Sequence, residues 1–166
     1  MLLTAFSETL TYAGPALADA TACETVLRAL PEWFGIDEAI VQYSQDIARR
    51  PTLTAHLDAP DGEPTLVGFL TLTRHFTYSA EIHVMGVLPA YHARGIGRAM
   101  LEHAERWLIE RGVRYLLVKT LSARRDCPKY ALTRRFYRSV GFVDLEEFPT
   151  LWDPRNPCLQ LIKTLG

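Results

Sequence analysis

The spacing of apolar residues changes twice in the middle of the chain, and those changes divide it into elements. Glu81-Ile-His-Val-Met-Gly-Val-Leu88 alternates and carries β-branched residues, which predicts a strand that Pro89 ends by lacking an N–H. From Ile96 the period becomes helical through Met100, Ala104, Trp107, Leu108 and Arg111, and Gly112 supplies a stop. Tyr115-Leu-Leu-Val-Lys-Thr-Leu121 is an apolar run suited to a buried parallel strand. Upstream, Thr52 to Leu57 and Thr65 to Arg74 alternate around Ala59-Pro-Asp-Gly62-Glu-Pro64, whose Asp-Gly step predicts a hairpin. Residues 2 to 12 read as a first strand and Pro15 to Leu30 as a helix, broken by Pro31-Glu-Trp-Phe-Gly35. Asp37 is suited to cap a second helix that ends near Arg50-Pro51. Downstream, Ser122 to Lys129 is a polar loop, and Leu132, Phe136 and Val140 recur at helical spacing. Val143 to Phe148 and Cys158 to Lys163 read as closing strands. The proline-rich segment between them, Pro149 to Pro157, is either a rigid lid or ordinary turn chemistry.

The strand, loop and helix around Tyr91-His-Ala-Arg-Gly-Ile-Gly-Arg98 have a chemical meaning. The first N–H groups of a helix lack internal partners and the macrodipole adds positive charge there, so an anion fits. Gly95 and Gly97 remove the Cβ atoms that would keep a phosphate off the backbone, while Arg94 and Arg98 offer charge-assisted hydrogen bonds. A Walker loop is excluded because no Lys-Ser or Lys-Thr follows Gly97. A dinucleotide fingerprint is weakened because Met100 stands where its third glycine belongs, and Pro89 to Arg94 separate strand from glycines.

The third reading is a resemblance. Val87-Leu-Pro89 followed by the loop at 92 to 98 resembles the acyl-CoA loop of the GNAT (GCN5-related N-acetyltransferase) superfamily, Arg/Gln-x-x-Gly-x-Gly/Ala at the start of a long helix. Further on, Tyr137-Arg-Ser-Val-Gly141-Phe142 resembles that family's helix ending in Tyr-x-x-x-Gly-Phe. The two motifs stand in the family's order, and the match covers roughly residues 65 to 164. Two positions depart from the pattern: His92 holds the place usual for Arg or Gln, and Tyr130 the place usual for Asn.

The resemblance implies an α/β fold of α+β type, residues 1 to 166 forming a single domain. Its mixed, mostly antiparallel sheet has a splayed parallel strand pair and helices on both faces. It implies acetyl-CoA as acyl donor, with the pantetheine arm in the splay against the backbone of Met85, Gly86 and Val87. The phosphates would lie on His92, Ala93, Arg94, Gly95, Ile96, Gly97 and Arg98, and the two helices before Pro51 would form the substrate-side flap. Trp33 and Phe34 in that flap, and Trp152 in the C-terminal segment, are candidates to line the acceptor pocket; core packing explains such aromatics as well.

Acyl transfer to an amine needs a base for the amine, stabilisation of an oxyanion, and a proton for the leaving thiolate. The resemblance assigns the last to Tyr137, whose alternative is a core tyrosine on an amphipathic helix, and the oxyanion to backbone N–H groups, Val87 foremost. Strict alternation puts Glu81, His83, Met85 and Val87 on one face of their strand, so Glu81 and His83 are both candidate bases. The imidazole starts from the better pKa, about 6.5 against about 4.3, and burial would raise that of the carboxylate. Either residue could instead meet solvent or a salt-bridge partner. Cys127 has no His nearby in sequence, and direct transfer needs no covalent enzyme intermediate.

Composition narrows the partners. The 166 residues, 48% hydrophobic and 22% charged with net charge −1, predict one soluble unit with no general drive toward nucleic acid or an anionic membrane. Cys23, Cys127 and Cys158 suggest neither a disulfide framework nor a zinc site, and no histidine spacing implies a metal. With no signal-like start and no apolar run of about eighteen residues, a cytoplasmic location is expected. The expected reaction is transfer from acetyl-CoA to a primary amine of a small molecule. A protein N-terminus, a lysine side chain or the amino acid of a charged tRNA are other acceptors, and a non-catalytic acyl-CoA sensor is the rival class. A homodimer is compatible with the family resemblance.

Overall fold

The computed structural model describes residues 9–60 and 62–166. The elements, in order, are β1 (Thr9–Ala16), α1 (Ala20–Arg28), α2 (Asp37–Ile47), β2 (Thr52–Asp58), β3 (Thr65–Phe76) and β4 (Ser79–Val87). They continue with a 3₁₀ turn (Pro89–Tyr91), α3 (Ile96–Ile109), β5 (Tyr115–Leu121), α4 (Pro128–Ser139), β6 (Val143–Asp153) and β7 (Asn156–Thr164). The seven strands form one mixed sheet in the order β1-β2-β3-β4-β5-β7-β6. Among the described residues only β4 and β5 run parallel, joined by the crossover through α3.

Each face of the sheet has its own core. On one, Ile96, Met100, Leu101, Ala104 and Leu108 of α3 and Tyr137 and Val140 at the end of α4 meet Leu70, Leu72, Ile82 and Val118. On the other, Val26, Leu27 and Leu30 with Ile40 and Ile47 of α2 meet Phe69 and Val84. Gly86 permits the second contact, because a Cβ there would lie 3.1 Å from Leu30 Cδ1 and 3.4 Å from Val26 Cγ1.

The sheet opens where the site will lie. Pairing between β4 and β5 runs from Ser79↔Tyr115 to Ile82↔Val118 and stops, while β5 stays paired with β7 through Leu121. The β3–β4 register shifts at the same point, from Thr71↔Val84 to Leu72↔Ile82, leaving His83 as an extra residue on β4. A bulge increases local twist and disrupts the ladder, and this one directly follows the last residue paired to β5.

The bulge overturns strict alternation along β4. Met85 and Val87 pack with the α3 core, together with Ile82. Val84 and Gly86 lie on the α1–α2 face, where His83 bonds Asp46 of α2 and Glu81 pairs across the sheet with Thr73, itself bonded to Arg50. Glu81 and His83 therefore share a face with each other, not with Met85 and Val87.

Other elements differ in extent from the sequence reading. The first strand spans Thr9–Ala16, the rest of the expected one lying outside the described residues, and Pro15 belongs to it. The helix starts at Ala20 because Asp19 caps it, accepting from Thr21 N and Ala22 N at 2.9 and 3.1 Å. Asp37 does not cap α2; it is the first helical residue, and its carboxylate bonds Arg28 Nη1 at 2.6 Å. Asp61 of the expected hairpin turn lies outside the described residues. The segment from Pro149 to Pro157 is strand almost throughout, with β6 reaching Asp153 and β7 starting at Asn156. The edge position of β6 accommodates Pro149, and the register shift between Phe148 and Asp153 absorbs the irregularity. Among the described residues, no helix is long and apolar enough to cross a membrane.

Candidate active site

A cleft of about 840 Å³ follows the opening between β4 and β5, from the loop before α3 to the space under α2. Its floor is backbone. Leu88 N bonds Val67 O on β3 at 2.8 Å, and successive residues of a strand point their amide groups to opposite sides. The N–H groups of Met85 and Val87 therefore face the gap, and that of Gly86 faces β3. The Val87 carbonyl, on the same side as its N–H, is 2.6 Å from His92 Nε2.

At one end of the cleft, Gly95 takes the left-handed conformation (φ 80°) as the N-cap of α3. No side chain caps the helix, and Ala99 N is the first amide to find its partner within it, Gly95 O at 3.0 Å. The N–H groups of Ile96, Gly97 and Arg98 thus stand without intrahelical partners. Ala93 also has positive φ (59°), which turns the loop tightly before the helix. Gly97 lies against Phe136 of α4, with room for a Cβ only at contact distance (3.4 Å). Arg94 sits over the Tyr91 ring at 5.1 Å, and Arg98 lines the cleft.

Tyr137 lines the cleft from α4 and is held by the way that helix ends. Gly141 is left-handed (φ 101°), Gly141 N bonds Arg138 O at 3.2 Å, and Phe142 N bonds Tyr137 O at 3.1 Å. This is a Schellman ending, and its accompanying apolar contact is the Tyr137–Phe142 ring pair, 5.5 Å between centroids. The Tyr-x-x-x-Gly-Phe spacing is therefore a helix terminus that fixes one phenol. Burial, with a smaller contribution from Tyr130, pushes the phenol pKa far above its ordinary value. Among the described residues no hydrogen bond engages its hydroxyl.

Under α2 the cleft is lined by coupled side chains. Glu81 is 8% exposed and receives Lys119 Nζ at 2.8 and 3.1 Å, with His75 Nε2 at 2.6 Å. Burial pushes its pKa up, but the hydrogen bonds and charges of Lys119 and His75 outweigh that and leave it below the usual carboxylate range. The sequence-based expectation of a burial-raised Glu81 is thus reversed. His83 Nε2 lies 2.8 Å from Asp46 Oδ2, and Tyr43 meets the ring edge-on at 5.5 Å. Burial, joined by the charge of Arg50, lowers its pKa more than Asp46 and Glu81 raise it, which favours the neutral imidazole.

The structure brings Tyr137, Glu81 and His83 to this one cleft, with the loop residues except Arg94 and with Trp33, Phe34 and Trp152. Trp33 ties the segment between α1 and α2 to α4: its Nε1 donates to Thr133 Oγ1 at 3.0 Å, and its carbonyl accepts from the Tyr130 hydroxyl at 2.7 Å. His92 packs edge-on to the Trp33 ring at 5.8 Å. Sequence reasoning missed Asp46, His75, Arg50, Lys119 and Thr120. Lys119 carried a signal, since a lysine inside an apolar strand requires a nearby acid. Thr120 carried none, yet its buried Oγ1 has no hydrogen-bond partner among the described residues and it lines the cleft.

A family model described as "Acetyltransferase (GNAT) family" matches residues 20–142. Among solved structures, a GNAT-family protein from Desulfovibrio desulfuricans superposes with TM-score 0.77 at 17% identity, over 95% of this chain and 100% of that one. The ribosomal-protein-S18-alanine N-acetyltransferase of Escherichia coli gives 0.69 at 19% identity, over 95% of both chains. An aminoglycoside 6'-N-acetyltransferase complexed with coenzyme A gives 0.65 at 16%, over 87% and 89%. At such identities these likenesses speak to the fold. No curated protein sequence matches the chain significantly.

Proposed function

Because the chain belongs to the GNAT acetyltransferase family, we propose that it moves an acetyl group from acetyl-CoA directly to a primary amine of a small molecule, as a single catalytic domain. The observation that carries this reading is the pair of amides, Met85 and Val87, facing a gap that has free helix N-terminal amides at one end and Tyr137 alongside. Acetyl-CoA supplies a thioester, whose acyl carbon is open to attack.

The residues divide the work by chemistry. The amides of Ile96, Gly97 and Arg98 and the side chain of Arg98 hold the pyrophosphate, with His92, Ala93, Arg94 and Gly95 shaping the loop. Met85 and Gly86 keep β4 extended beside the pantetheine arm, and the Val87 N–H stabilises negative charge on the acyl oxygen. His83 takes the proton of the attacking amine; Glu81, held by Lys119 and His75, is the weaker base. As the C–N bond forms and the C–S bond breaks, Tyr137 donates to the departing sulfur, and the burial that keeps the phenol protonated also disfavours a bare thiolate. Trp33, Phe34 and Trp152 wall the acceptor.

Thermal unfolding with acetyl-CoA, beside NADH, tests the donor. Ligand at about a hundred times its dissociation constant adds about 2.7 kcal/mol and raises the midpoint by several degrees; no rise removes acetyl-CoA. CoA release with a panel of small primary amines, an alanyl peptide and a lysyl peptide then tests the acceptor. Release with peptides alone replaces the small-molecule reading, and release with none leaves an acyl-CoA-binding module.

A further inference from the structure

The pair formed by Asp46 and His83 has a directionality that the imidazole alone lacks. Asp46 is on α2 and His83 is the bulged residue of β4, so helix and strand must both be in place for the 2.8 Å contact between Oδ2 and Nε2. The other carboxylate oxygen is already claimed by donors: Gln42 Nε2 reaches Asp46 Oδ1 at 3.3 Å, and Arg50 Nη2 reaches it at 3.5 Å. These contacts orient the carboxylate and leave Oδ2 directed at the ring. A carboxylate only accepts, so the hydrogen shared with His83 belongs to Nε2. A neutral imidazole with its proton on Nε2 has its lone pair on Nδ1. Among the described residues Nδ1 has no hydrogen-bond partner, while His83 lines the cleft.

We propose that Asp46 is the positioning residue of the reaction, fixing His83 as the Nε2–H tautomer so that Nδ1 is the atom that accepts the amine proton. The inference rests on His83 as the base. The step balances: the ammonium acceptor enters deprotonated or gives one proton to solvent, its nitrogen lone pair forms the C–N bond, and the second N–H proton passes to Nδ1. The imidazolium that results is stabilised by Asp46 across the same hydrogen bond. Other groups facing His83 are Tyr43 and Asp46 of α2, Arg50 just beyond it, and Glu81 of β4, itself held by His75 of β3 and Lys119 of β5. Arg50 opposes the protonated ring and Glu81 favours it, so losing Asp46 leaves Arg50 less compensated.

The test compares Asp46→Asn, Asp46→Glu and His83→Gln by ¹⁵N imidazole NMR and by the pH dependence of kcat/KM, using the amine that gives most CoA release. In the unaltered protein the resonances lost in His83→Gln report an Nε2–H tautomer. An asparagine amide can donate to Nε2 and stabilise the opposite tautomer, so Asp46→Asn loses that signature and lowers kcat/KM by about 10²-fold or more. Its acid limb moves to lower pH, and Asp46→Glu restores part of both. An unchanged tautomer and pH profile in Asp46→Asn, with His83→Gln inactive, overturns the role of Asp46 and leaves His83 standing. Full turnover in His83→Gln removes the base, and the proposal with it. Retained acetyl-CoA stabilisation in each variant shows that the fold is intact.

Discussion

The two ends of the cleft are made of different material. The end proposed for the donor is main chain: amides exposed by the splay of β4 from β5, a left-handed glycine opening α3, and a left-handed glycine closing α4 over Tyr137. The end proposed for the acceptor is side chain: Asp46, Arg50, His75, Glu81, His83 and Lys119 come from α2, the turn after it, β3, β4 and β5, each leaning on another. Backbone sites tolerate most substitutions around them, because any residue supplies an N–H. Networks fail when one member goes, because the partner is left buried with its charge unmet.

The largest test of this contrast is Tyr137→Phe, one donor-end residue whose side chain does matter. Turnover falls by about 10² to 10⁴ while acetyl-CoA affinity, read by thermal shift, stays the same; unchanged turnover makes Tyr137 a core residue only. Next is Lys119→Met at the acceptor end. Leaving Glu81 with His75 alone costs about 3 kcal/mol at neutral pH in denaturant unfolding, and the deficit shrinks as Glu81 is protonated in acid. If Lys119→Met is neutral, the network is not coupled. Gly95→Ala is milder, since a Cβ there meets nothing within 4 Å and the cost is only that of a left-handed alanine, about 1–2 kcal/mol. It weakens acetyl-CoA binding by about tenfold, with kcat little changed.

The smallest effect is of pH on stability. The folded-state pKa of His83 is depressed, so its contribution is complete above the unfolded value of about 6.5 and is lost as pH falls from there through the folded value. Glu81 is also depressed, and its contribution fades at lower pH, below about 4.5. Urea midpoints therefore decline in two steps on acidification, and His83→Gln removes the upper one.

The same contrast explains what the sequence revealed. Donor-end features announce themselves because glycine and proline are required at fixed offsets from periodic segments, as at Gly95, Gly97, Gly141 and Pro89. The mixed sheet and the parallel pair were legible from alternation along β2 to β4 and from the apolar run Tyr115 to Leu121 that follows the crossover helix. The partners of the acceptor end were not. Asp46, in the last turn of an amphipathic helix, lies four residues before Arg50, the spacing of an ordinary surface pair, and only the fold brings it to His83. Glu81 was recognised by type, but its pKa depends on His75 and Lys119, which local periodicity could not assign to it. The long β6–β7 hairpin was obscured by its prolines: Pro149, which the edge strand β6 can hold, Pro154 in the turn, and Pro157 at the second residue of β7.

The extra residue at position 83 makes β4 a strand with two phases. Before it, odd-numbered side chains point toward α2; after it, even-numbered ones do, so polar chemistry and core packing are spelled in one short stretch. Removing residue 83 would restore an unbroken ladder and leave every other side chain on its present face, Glu81 toward α2 and Ile82 beneath α3, because 83 and 84 share one side of the strand. The bulge is like an inserted letter that spells a word of its own: taken out, it leaves the text on either side reading as before, and only the imidazole is lost.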